Sequence, residues 1–381
     1  MDLMSPEEME DPSKTARTLL AGERAYLYEK YNPPFYILSR YEDVNNALLD
    51  AETYRERHGN GPNFSPELGI LSDAPHHTYI RNLIQEVFLS KQIATLKPRL
   101  EKIVEDLLDA VESKKKWDLH DDLSFPLPVI IICEILGIPT DDIKKFKRWA
   151  DASVASMCSE DPLEYQKDLA EMSEYLLKQI HKKRSQNKSD DLLSVIAKAK
   201  NNNDYLSDEE TVGLATQIFV AGNETTTSLI SNLVWRLLTT DNLWQQFVEG
   251  KINVDDAINE SLRFDPPLLG LFKTTSREIK IDTVKIPANT KIMMHYGAAN
   301  RDPSVFKDPE KFDVRRKGKK VLSFSVGIHV CIGRELAKLE ASVTLNALKK
   351  RFPELKLINH GERVGPFLFW GRAKLPVTHS R

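Results

Sequence analysis

The chain has 381 residues, 41% hydrophobic and 29% charged, with a formal net charge of −3. It is long enough to enclose a large apolar core and a buried cofactor, and its composition is that of an ordinary globular protein. The near balance of charge provides no global attraction to nucleic acid or to an anionic membrane.

The N-terminus, M-D-L-M-S-P-E-E-M-E-D-P, is acidic and lacks an apolar core segment, so no secretory signal is expected. The three cysteines, at 133, 158 and 331, form no paired framework, and a reducing cytoplasmic location is expected. A strand is predicted at Phe35–Leu38, and helical periodicity runs over Val44–Ala51, His77–Phe88 and Ile93–Val111. The apolar run Pro128–Ile138 is shorter than the roughly 20 residues a membrane span requires, and it contains Glu134. It reads as a buried core helix. A further helix is predicted over Leu163–Lys183, followed by a surface loop at Arg184–Asp190.

Ser207 with Glu210 forms a capping box. Apolar residues continue to about Leu238, so this helix should be roughly 45 Å long, buried and central. Short strands are predicted at Ile279–Ile286, Lys291–His295 and Leu375–Thr378. With no repeat and no long linker, residues 1–381 are expected to form a single domain, mainly α with small β-sheets.

The centre of the long helix reads A-G-N-E-T-T-T, Ala221–Thr227. Gly222 costs about 1 kcal/mol relative to alanine in a helix interior, and consecutive threonines lose rotamer freedom there. Glu224 needs a partner if buried. Glycine admits a bulky neighbour, and threonine hydroxyls bond carbonyls one turn back and open the helix slightly. An acid beside an alcohol suits proton delivery to a buried site. The plainer alternative is a polar bend facing water.

Residues 324–333 read F-S-V-G-I-H-V-C-I-G, ahead of a helix predicted at Arg334–Lys350. A thiolate ligand needs backbone N–H groups aimed at its sulfur, glycines that let the chain wrap closely, and the positive end of a helix. A buried free cysteine is the alternative.

This loop resembles the heme-binding loop of the cytochromes P450. Ala221–Thr227 is similar to the family's oxygen-activating helix, Asn259–Arg263 (N-E-S-L-R) to its E-x-x-R helix, and Asn300–Arg315 to its meander. The order agrees across nearly the whole chain. The resemblance implies the P450 fold, a triangular helical prism with heme between the long helix and the cysteine loop. It also implies a soluble prokaryotic-type monooxygenase that uses heme b and O2.

Cys331 would be the axial thiolate, with Phe324 packed beneath the heme and Gly327 and Gly333 shaping the loop. Ser325 stands where soluble relatives usually carry glycine, so a local backbone change is expected. His77, Arg81 and His329 would bind the heme carboxylates, His77 and Arg81 from an H-x-x-x-R pattern. Lys273 occupies the place of a further arginine and can supply charge but no planar fork. Without the resemblance, His76 and His77 read as a solvated pair. Glu224 and Thr225 match the family's acid–alcohol pair, with the carboxyl relaying protons and the hydroxyl steadying dioxygen. Glu260 and Arg263 would join Arg315 in a buried network.

Substrate-contact segments are expected in the loop Arg57–Leu71, at Phe219, Val220 and Ala221, at Leu268, Leu269 and Leu271 within Leu268–Phe272, and at Leu368 and Phe369 in the tail. Their apolar character suits a hydrophobic small molecule. No flavin, nicotinamide or iron–sulfur motif is present, so electrons are expected from a ferredoxin- or flavodoxin-type protein. The basic run Arg315–Lys320, with Arg334 and Lys338, would dock it. Alternatives are a peroxide-driven peroxygenase, a heme-based ligand sensor and a helical scaffold without heme. The Glu224–Thr225 pair disfavours the first, and the lack of room for an output domain disfavours the second.

Overall fold

A computed structural model describes the chain apart from residues 66–67, 187–190, 202–203, 319 and 380–381. The helices that frame the site, numbered in chain order, are α1 (Tyr41–Leu49), α2 (His76–Ile84), α3 (Lys97–Glu112), α4 (Pro126–Leu136), α5 (Ile143–Cys158), α6 (Gln166–Ser185), α7 (Asp208–Thr239), α8 (Val254–Phe264) and α9 (Arg334–Arg351). The architecture is mainly helical with small sheets, as expected.

Helix α7 starts at the expected capping box: Ser207 Oγ accepts from Glu210 N, and Glu210 accepts from Ser207 N. It packs against α4, α6 and α9 at the centre of the largest apolar cluster. The polar segment does not interrupt it. The helix expected over Ile93–Val111 is instead two, Ser90–Thr95 and α3. Pro98 lies in the first turn of α3, where the missing N–H has no partner to lose, whereas in mid-helix its ring would break the ladder. Of the expected loop Arg184–Asp190, Arg184 and Ser185 close α6, and residues 187–190 lie outside the described residues. Among the described residues no helix is long and apolar enough to cross a membrane.

The principal sheet has the order β1-β2-β5-β4-β3, where β1 is Ala25–Tyr28, β2 Phe35–Leu38, β3 Tyr54–Arg55, β4 Leu271–Thr275 and β5 Lys291–Met294. Side chains alternate across it. Leu38, Ile292 and Met294 join the apolar cluster on one face, and Phe35, Ile37, Phe272 and Met293 the cluster on the other. The predicted strand Ile279–Ile286 is a hairpin, Ile279–Ile281 against Val284–Ile286, turning through Asp282 at φ +54°.

Strand β3 runs antiparallel to β4, pairing Tyr54 with Thr275 and Arg55 with Thr274. β3 ends at Arg55, and the next residue, Glu56, brings its side chain to Lys273.

Candidate active site

Cys331 N–H donates to Phe324 O at 2.8 Å, closing the loop. Gly327 has φ +77°, and a Cβ there would come within 2.8 Å of Leu48 O in α1, so conformation and space both require glycine. Gly333 differs: its φ is −85°, and a Cβ would meet nothing within 4 Å. It serves as the N-cap of α9. Ser325 adopts φ +58°, the left-handed conformation that glycine takes without strain.

Cys331 presents accessible surface, whereas Cys133 and Cys158 are buried. Desolvation nevertheless raises its thiol pKa, opposed by the N–H groups of Gly333 and Arg334 and by the Arg81 and Arg334 charges. The start of α9 thus directs N–H donors at the sulfur, the arrangement that favours a thiolate.

Helix α2 meets this loop twice. Arg81 Nη1 donates to Val330 O at 2.8 Å, and the His77 and His329 rings lie 4.1 Å apart between centroids. Both nitrogens of the buried His77 ring lack hydrogen-bond partners. Desolvation lowers the pKa of His77 to about 4 and of His329 to about 3, so both imidazoles are neutral near pH 7. His76 turns instead toward Glu210, 3.5 Å away. Lys273 is buried on β4, with Nζ 2.9 Å from Glu56 Oε1. That approach is off the line a hydrogen bond needs, and the ammonium N–H groups remain without an acceptor. Glu56 Oε2 lies 3.5 Å from His329 Nδ1.

On α7, Thr225 Oγ1 donates to Ala221 O at 2.7 Å, the expected bond one turn back. Ala221 is exposed, and Val220, Gly222 and Thr225 are half-buried, between the buried residues that precede and follow this segment. Gly222 faces another way: a Cβ there would lie 3.0 Å from Ile132 Cδ1 of α4, and the bulky neighbour it admits is that side chain. Glu224 is buried, and its Oε2 has no partner. Desolvation raises its pKa to about 7; Asp151 adds to the rise and Lys147 opposes it. Those two residues form an ion pair at 3.2 Å on α5.

Of the apolar residues expected to contact substrate, Val220, Leu268, Leu368 and Phe369 join one cluster, where Leu268 pairs with Phe369 and Leu269 N–H donates to Leu368 O. Phe219 lies apart, packed 5.5 Å from Phe146 in the main core, and Leu271 lies on the other face of the sheet.

Glu260 binds Arg263 through two bonds of 2.8 and 2.9 Å, and Arg263 also donates to Asn300 O, Pro309 O and Lys311 O. The meander arginine on Glu260 is Arg316, at 3.3 Å, not Arg315, which is exposed. The turn begun by Asp313, whose Oδ1 accepts from Arg315 N, points the second arginine inward.

Sequence reading missed Glu56, Lys147 and Asp151. Lys147 and Asp151 read as an ordinary i,i+4 surface pair. Glu56 reaches Lys273 only through pairing of strands remote in sequence.

A model of the family described as Cytochrome P450 matches residues 24–249 and 253–367. The chain is 34% identical over 365 residues to Cytochrome P450 107B1 of Saccharopolyspora erythraea, covering 90% of this chain and 88% of that protein. It is 31% identical over 389 residues to Vitamin D(3) 25-hydroxylase of Pseudonocardia autotrophica, covering 99% and 96%. CYP109E1 from Bacillus megaterium, solved in complex with testosterone, superposes with a TM-score of 0.90 at 27% identity, covering 99% of this chain and 100% of that one.

Proposed function

The chain belongs to the cytochrome P450 family and is a heme b monooxygenase, and from that premise we propose that Cys331 holds the iron and that the substrate is an apolar small molecule of sterol size. The residues present fit the cofactor. Cys331 is accessible and faces N–H donors, and the buried nitrogens of His77 and Lys273 lack acceptors that carboxylates would provide. When bound through a thiolate, heme supplies the reductive activation of O2.

Arg81, His77, His329 and Lys273 would orient the heme by its carboxylates, and Phe324 would pack beside the sulfur. The Thr225 hydroxyl spends its hydrogen on Ala221 O, leaving its oxygen free to accept a further bond from a polar group. Glu224, with a pKa of about 7, can hold or release a proton at Oε2 under ordinary conditions. The Lys147–Asp151 pair on α5 acts on Glu224 electrostatically, and water would carry the proton onward.

The apolar cluster of Val220, Leu268, Leu368 and Phe369 supports a hydrophobic guest. The sterol size rests on two similar proteins, one named for vitamin D3 hydroxylation and one solved with testosterone. Electrons would come from a separate acidic protein of ferredoxin or flavodoxin type.

The accessible Cys331 under the N–H groups of α9 is the observation that carries this reading. Its test is the optical spectrum of the reduced carbon monoxide complex. The native protein should show the red-shifted band of thiolate ligation, and Cys331→Ser should lose it. A band unchanged by that substitution would assign the iron to another ligand.

A further inference from the structure

Glu56 is a carboxylate placed where the heme carboxylates are to be held. Its position is built in. It directly follows Arg55, which pairs with Thr274 beside Lys273, and its backbone N–H is tied to Asp73 Oδ1 at 2.9 Å. Its side chain is only 12% exposed, against 3% for Lys273 and 7% for His329. One oxygen faces the ammonium at 2.9 Å and the other faces the imidazole of His329 at 3.5 Å. The nearby buried cation Lys291 is already engaged, donating to His58 O and Gly59 O at 2.7 Å each.

Building on the cradle assigned above, we propose that Glu56 is an internal counter-charge that cancels the positive charge of Lys273 toward heme. Lys273 then contributes N–H donors to the cradle but no net attraction for an anion. The heme carboxylates enter beside a fixed negative charge, and like charges in a poorly solvated pocket repel strongly. Two consequences follow. Heme is held less tightly than a cradle with a free cation would hold it. The oxidised iron, which carries one more positive charge, is favoured over the reduced form.

The test uses four holoproteins: native, Glu56→Gln, Lys273→Met and the double variant. Heme release to excess heme-free globin and the iron midpoint potential are measured on each. Glu56→Gln should slow release roughly tenfold and move the potential positive, and Lys273→Met should do the reverse, as expected when one member of a buried pair loses its partner. The double variant should return to within about threefold of native release, because the two charges cancel.

If Glu56→Gln leaves both release and potential at their native values while Lys273→Met speeds release, the carboxylate does not offset the lysine and the proposal fails. Thermal melts identify a variant that misfolds, and the potential of the near-isosteric Glu56→Gln then decides alone. If every variant matches native in both readouts, the heme carboxylates lie elsewhere. That result would overturn the cradle itself, independently of the Cys331 spectrum.

Discussion

Ser325 occupies a left-handed backbone position two residues before the glycine that wraps over α1. Left-handed geometry costs an L-residue roughly 1–2 kcal/mol, which glycine avoids. Ser325→Gly should therefore stabilise the protein by about 1 kcal/mol in denaturant unfolding, part of the gain being offset by greater freedom of the unfolded chain. A loss of stability would mean that the serine side chain supports the loop. The same residue shows how sequence informs at this scale: the departure from glycine was visible, but its conformation was not.

Glu224 gives a second prediction. Its folded pKa, about 7, lies above the ordinary carboxyl value of 4.5. The stability it contributes is complete below pH 4.5 and is lost as pH rises through about 7. Glu224→Gln cannot ionise, so its stability relative to native should grow by about 2–3 kcal/mol between about pH 5 and 8. A difference that stays flat with pH would place the titration on another group.

At the scale of elements, periodicity and capping chemistry located α7 and α9 because each is long and begins with a clear signal. Pro98 hid a boundary within a continuous apolar pattern, and Asp282 hid the turn of a hairpin. The meander failed differently. Composition gave two adjacent arginines, and only the turn at Asp313 decides that Arg316 reaches Glu260. Removing the buried carboxylate leaves Arg263, 1% exposed, without its anion. Glu260→Ala should cost about 3–5 kcal/mol of unfolding free energy. Arg315→Ala, on an exposed side chain, should change stability by less than about 0.5 kcal/mol. Equal effects of the two substitutions would contradict this arrangement of the network.

For the whole molecule, the order of the segments carried the family and hence the fold, whereas long-range pairings such as Glu56 with Lys273 were illegible. Charge is also distributed unevenly, and this bears on electron supply. The net charge is −3, yet Arg315, Lys317 and Lys320 stand exposed just ahead of the cysteine loop. Lys317 has only a 3.8 Å approach to Asp256, so most of its charge faces solvent. Arg334 and Lys338 are more occupied, the first by Glu335 at 2.9 Å and the second by Asn259 at 3.0 Å. Encounter with an acidic donor should rest chiefly on the exposed group. Exposed charges are screened within about 8–10 Å at physiological ionic strength, so reduction by such a donor should slow as salt is added. Lys317→Glu with Lys320→Glu should slow reduction several-fold at low salt and flatten the salt dependence. If stopped-flow rates are instead the same at low and high salt in the native protein, the donor docks through apolar contacts and this basic surface plays no part in guiding it.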